Sequence, residues 1–112
     1  MRIIPVGLPL DYHIARLYRK NAVAPPVVFG TIYSRDYDGL EQRPGCIVRV
    51  DGQLLLSADK EGNYVCSLIP GRHELSALQI AYYGVRVSRL ALAAGDSMRV
   101  DFYLLPTMES IP

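Results

Sequence analysis

The sequence predicts an all-β fold: one domain of about seven strands in a sandwich or barrel, led in by an N-terminal arm of different texture. Three observations carry this. From Val27 onward apolar and polar residues alternate; in Ser97–Leu104, Met98, Val100, Phe102 and Leu104 share one face, and Ser97, Arg99, Asp101 and Tyr103 the other. That is the period of a strand with one buried face. Turn residues separate such runs at regular spacing, with no second helical pattern. The chain has 112 residues, half of them hydrophobic, which suits a single domain that builds its own core.

The arm spans residues 1–26. Pro5 and Pro9 keep its first ten residues out of regular structure. Leu10, Ile14 and Leu17 recur at helical spacing after a capping Asp11, which predicts a short helix, and Ala22-Val23-Ala24-Pro25-Pro26 ends it. In the sandwich, residues 27–105, Cys46, Val48 and Val50 alternate, as do Tyr64, Cys66 and Leu68. Asp51-Gly52 suits a two-residue hairpin turn with positive φ, and Asp59–Gly62, Pro70-Gly71 and Ala94-Gly95-Asp96 are further turns. Inward parity slips between Val85/Val87 and Leu90/Leu92, which places a bulge near Ser88-Arg89. The expected core is Val48, Val50, Tyr64, Leu68, Leu75, Tyr82, Val100, Phe102 and Leu104. Residues 106–112 form a C-terminal tail.

Composition narrows the function classes. A net charge of +1 argues against a broad nucleic-acid footprint, and no apolar run reaches the length of a membrane span. The first ten residues lack a signal-peptide pattern, because two prolines cut the apolar stretch and no small-residue cleavage site follows. The expectation is a cytoplasmic or virion-associated protein, or a trimmed mature chain. Cys46 and Cys66 face inward and read as free, buried thiols.

Gly30-Thr31-Ile32-Tyr33, a variable loop and Pro44-Gly45-Cys46-Ile47-Val48-Arg49-Val50 resemble the opening of carboxypeptidase regulatory-like domains. Ala58–Tyr64 is similar to that family's acidic turn followed by glycine and an aromatic. Leu68–Leu75 is similar to its Pro-Gly turn, Tyr82 falls at its usual tyrosine, and Gly95–Leu104 resembles its closing strand. Ala81 and His73 depart from the pattern, where glycine and an aromatic are usual. The resemblance implies a seven-stranded, two-sheet Greek-key sandwich of the transthyretin-related, immunoglobulin-like kind, and no activity of its own.

Chemistry-bearing residues are sparse. A transthyretin-like hydrolase would need a C-terminal Tyr-Arg-Gly-Ser signature, which this chain lacks, and His13 falls outside the expected sandwich. The two histidines have no metal-ligand spacing. Asp36, Asp38 and Glu41 could offer oxygens to calcium, but Arg35 and Arg43 flank them, and a solvated loop explains them. Tyr12, Tyr18, Tyr33, Tyr37, Tyr82, Tyr83 and Tyr103 lack the basic groove of a nucleic-acid platform. Arg16, Arg19 and Lys20 read as one solvated helix face. No cofactor is expected.

The function expected is a non-catalytic structural or protein-interaction module within a filament, surface layer or virion. Its partner is itself or a neighbouring subunit. Ile3, Ile4, Val6, Leu8, Leu10, Ile14 and Leu17 of the arm are the candidate partner-binding residues, because so much apolar surface has to be buried somewhere, and edge strands are the other contact. The alternative is a sandwich that binds a small molecule or carbohydrate through the loop at residues 35–45.

Overall fold

A computed structural model describes residues 12–19, 24–36, 39–42 and 45–107. These form nine strands and no helix: β1 (Tyr12–Arg19), β2 (Val27–Asp36), β3 (Gly39–Gln42), β4 (Ile47–Val50), β5 (Leu54–Ser57), β6 (Asn63–Ser67), β7 (Gly71–Leu78), β8 (Val85–Leu92) and β9 (Asp96–Leu104). They make two sheets. One runs β1-β9-β2-β3, with β6 also on β2; the other runs β5-β4-β7-β8. The chain passes between sheets after β3, β5, β6 and β8. Each passage turns alternating apolar faces toward each other, so the core lies between the layers.

The strand with the cleanest alternation, β9, is central, antiparallel to β1 and parallel to β2. Val28 and Ile32 of β2 join Val100, Phe102 and Leu104 against Val48 and Leu75 of the other sheet, all fully buried. Of the expected core, Val50, Tyr64 and Leu68 are buried too. Tyr82 is only half-buried at the margin, because it lies in the β7–β8 connection, bridged to Pro106. Cys46 and Cys66 are buried, with no disulfide between them.

Several expectations change. There are nine strands rather than seven: β1 and the short hairpin strand β3 are additional. The helix expected over Leu10, Ile14 and Leu17 is a strand from Tyr12 to Arg19, paired in register with Phe102 to Asp96. The free edge of β9 offers a ladder of backbone hydrogen bonds, and Tyr12 and Ile14 alternate as well as Ile14 and Leu17 spiral. Leu17 falls in the register shift between Arg16 and Tyr18. Residues 12–19 are therefore an edge strand of this chain's own sheet rather than a separate arm, and His13 lies within the sandwich. The Asp51-Gly52 turn is a three-residue loop, because Val50 pairs with Leu54, though Asp51 and Gly52 do take positive φ. The expected bulge is at Arg89, with φ 58° and a register shift opposite His73/Leu75.

Candidate functional site

The outer face of the five-stranded sheet carries its polar chemistry in rows set by strand register. Ala15, Arg99, Phe29 and Val65 align across β1, β9, β2 and β6. The next row is His13, Asp101, Thr31 and Asn63, and a third is Tyr103, Tyr33 and Gln42, the last from β3. β2 pairs with β6 along Val27–Thr31 and with β3 along Tyr33–Asp36, so its edge forks between them.

At the centre is Asp101, fully buried although it points away from the core. A buried carboxylate must be paired and hydrogen-bonded. Arg99 Nε donates to both of its oxygens at 3.1 Å, and Thr31 N donates to Oδ1 at 2.8 Å. Arg99 Nη2 donates to Thr31 Oγ1 at 3.2 Å, and Thr31 Oγ1 donates to Asn63 Oδ1 at 2.6 Å. The guanidinium lies 5.8 Å from the Phe29 ring centroid, within cation–π range. In the third row, Tyr33 and Tyr103 stack at 5.5 Å with planes 10° apart.

This network fills a gap in the ladder. Regular β2–β9 pairing stops at Phe29↔Arg99 and resumes at Ile32↔Phe102. Across the gap the Asp101 carboxylate binds Thr31 N, and Tyr64 Oη donates to Val100 O at 2.7 Å. Burial holds the Tyr64 phenol above its ordinary pKa, so it stays a donor. Beside the gap, an open cleft of about 820 Å³ runs along the fork. Phe29, Thr31, Tyr33, Asn63, Val65 and Arg99 line it from one sheet, and Leu56 and Ser57 from the edge of the other.

A second feature is apolar. Ile47, Ile80, Tyr83 and Leu105 are exposed, Ile80 by 92% and Tyr83 by 54%. All four lie at one end of the sandwich. Ile47 pairs with Leu78, Tyr83 N donates to Leu105 O, and Thr107 N donates to Ala81 O. β1 begins at this same end, since Tyr12 pairs with Phe102. There too, Nε and Nη2 of Arg35 are buried with no hydrogen-bond partner among the described residues.

The His73–Asp51 pair resembles a catalytic dyad but is fully engaged. Nδ1 is 2.7 Å from Asp51 Oδ2 and Nε2 is 2.7 Å from Ile69 O. Both partners are acceptors, so the ring satisfies them only as an imidazolium, with no nitrogen left as a general base. Among the described residues no His/Cys/Asp/Glu cluster has metal-site geometry.

Of the candidate partner residues, Ile14 is half-buried against the core, and Leu17 lies in β1. Ile3, Ile4, Val6, Leu8 and Leu10 fall outside the described residues, as do Tyr37 and Asp38 of the 35–45 loop. Gln42 of that loop lines the cleft. Sequence reasoning missed Phe29, Asn63 and Arg99. The available signal was a charged pair, Arg99 and Asp101, at i,i+2 on one face of a central strand. No family model matches the chain, and no curated protein matches it.

Proposed function

We propose that this chain is a non-catalytic protein-interaction module, a sandwich of the carboxypeptidase regulatory-like, transthyretin-related kind that serves as a subunit of a larger assembly such as a filament, surface layer or virion. The observation that carries this reading is the apolar end. Four exposed large side chains cluster where β1 begins, and the sequence immediately before β1 supplies Ile3, Ile4, Val6, Leu8 and Leu10. Large exposed apolar side chains gathered at one end mark an interface more often than ones scattered singly. The unpartnered Arg35 nitrogens at the same end would be satisfied by an acceptor from a neighbour. The β1 and β8 edges offer backbone groups for strand addition. The family reading draws support from the two-sheet partition and from the positive-φ glycine turns at Gly62 and Gly71.

Light scattering after size exclusion tests the proposal on the full chain, on a chain lacking residues 1–11, and on Ile80→Asp combined with Tyr83→Ser. The full chain is expected to form a defined oligomer, and both variants to shift toward monomer with their melting transitions kept. A full chain that stays monomeric across its soluble concentration range would sink the assembly reading.

A further inference from the structure

The cleft at the fork of β2 is a prepared site, and its chemistry is selective. Three constraints fix Arg99: both Asp101 oxygens at 3.1 Å, Thr31 Oγ1 at 3.2 Å, and the Phe29 ring. Among the described residues no hydrogen bond engages its Nη1, and the side chain is a third exposed. Arg99 thus presents a donor edge whose ordering is complete before any ligand arrives. Asn63 uses Oδ1 to accept from Thr31, which leaves its amide NH2 as a donor. Gln42 and Ser57 add an amide and a hydroxyl at the rim. Asp59 supplies the contrasting group. Its Oδ1 accepts from the amides of Glu61 and Asn63, both at 2.9 Å, which leaves Oδ2 to accept from a ligand hydroxyl. The apolar wall is Phe29, Tyr33 backed by Tyr103, and Val65, which is otherwise an unexplained exposed valine on a strand.

We propose that this cleft binds an acidic oligosaccharide bearing uronic-acid units. Arg99 takes the carboxylate; Asn63, Gln42 and Ser57 donate to ring and hydroxyl oxygens; Asp59 accepts from a hydroxyl; and Phe29, Tyr33 and Val65 meet the C–H faces of the sugar rings. The ligand presents a carboxylate to the outward Nη1 of Arg99, whose Nε is taken by Asp101, hydroxyls to the amides and Asp59, and apolar faces to the wall. A bare phosphate meets only the first need. A neutral sugar offers the outward Nη1 of Arg99 only a hydroxyl, a weaker acceptor than a carboxylate. A polynucleotide would need further cations along the cleft, and among the described lining residues Arg99 is the one cationic side chain. The volume, about 820 Å³, holds more than one sugar ring. The cleft shares no lining residue with the apolar end, so the two are tested by different variants.

Calorimetric titration of the full chain tests it, with oligomers of galacturonic, glucuronic, mannuronic and guluronic acid, a neutral galacto-oligosaccharide, and inorganic phosphate. At least one acidic oligomer is expected to bind saturably, with the neutral oligomer at least about tenfold weaker and phosphate not competing. Gln42→Ala and Asn63→Ala should each weaken binding severalfold, and Arg99→Lys about tenfold or more, because lysine loses the planar fork. Should Arg99→Lys unfold by stranding Asp101, Gln42→Ala decides, since its side chain is exposed at the rim. The inference is overturned if no acidic oligomer binds the folded chain, if the neutral oligomer binds as well, if phosphate displaces the oligomer, or if Gln42→Ala and Asn63→Ala leave binding unchanged. Neither outcome bears on oligomer mass, which tests the assembly separately.

Discussion

Gly30 sits where β2 and β9 come too close for any side chain: a Cβ there would lie 1.9 Å from Val100 O, a backbone atom that cannot swing away. Gly30→Ala should therefore cost at least about 3 kcal/mol, the upper end of overpacking penalties, in urea unfolding. Tyr64→Phe removes the hydroxyl that satisfies Val100 O and should cost about 1–3 kcal/mol, the penalty for an unsatisfied buried carbonyl. A neutral result would mean that the gap in the ladder closes on its own. The His73–Asp51 pair predicts a pH dependence. Burial pulls the His73 pKa down, but the Asp51 carboxylate and the Ile69 carbonyl outweigh it and leave the pKa raised. The amide of Glu74 and the imidazolium lower that of half-exposed Asp51. A raised histidine pKa stabilises fully below its unfolded value near 6.5, and the contribution is lost as pH rises through the folded value. A lowered aspartate pKa stabilises fully above its unfolded value near 3.8, and the contribution is lost as pH falls through the folded value. The pair therefore contributes most between about pH 4 and 6.5. Melting temperatures followed across pH should fall on the alkaline side of this window in the native chain, and Asp51→Asn should flatten that fall. Identical profiles for the two would rule out the pair as the cause.

At the scale of elements, β1 shows where local pattern and tertiary demand part. Leu10, Ile14 and Leu17 have helical spacing, yet Tyr12–Arg19 is extended. Isolated short helices are marginal, and the unpaired edge of β9 outbids them with a full ladder. A truncation that stops at residue 11 should keep the cooperative melt. Removing residues 1–19 uncovers the flank of Val100 and Phe102 and leaves β9 as an open edge, so that chain should melt lower and aggregate. Equal melting temperatures would show that β1 adds nothing to the fold. Strands with one wet face were legible; in β4 of the four-stranded sheet and in β6 at the edge of the other, buried and exposed residues alternate strictly. β9 hid its outer face. Asp101 and Tyr103 read as solvent-facing, but both are buried, Asp101 beneath Arg99 of its own strand and Thr31 of β2, and Tyr103 against the Tyr33 ring of β2. The bulge at Arg89 was visible as a parity slip, since alternation resumes out of step after it.

Across the whole molecule, the two thiols report on the core. Cys46 and Cys66 are buried and form no disulfide, and burial pushes the Cys66 thiol up to about 11. Neither should react with a thiol reagent at pH 8 while the chain is folded, and both should react at the rate of global unfolding. A fast native-state reaction of either would mean that the sheets open locally. Phe102→Ala, at the centre of the same core, should cost about 3–5 kcal/mol and speed the labelling of both. The sequence by itself determined the strand alternation, the turns, the bulge and the inward cysteines, because period, φ preference and burial are properties of a residue and its near neighbours. Only the tertiary structure decided that residues 12–19 close the sheet, that Arg99, Asp101, Thr31 and Asn63 meet, and that Ile47, Ile80, Tyr83 and Leu105 share one end. Those are relations between residues up to 90 positions apart, as in the pairing of Tyr12 on β1 with Phe102 on β9. Cross-strand register sets them, and register is fixed by which apolar faces pack together rather than by any local run of residues.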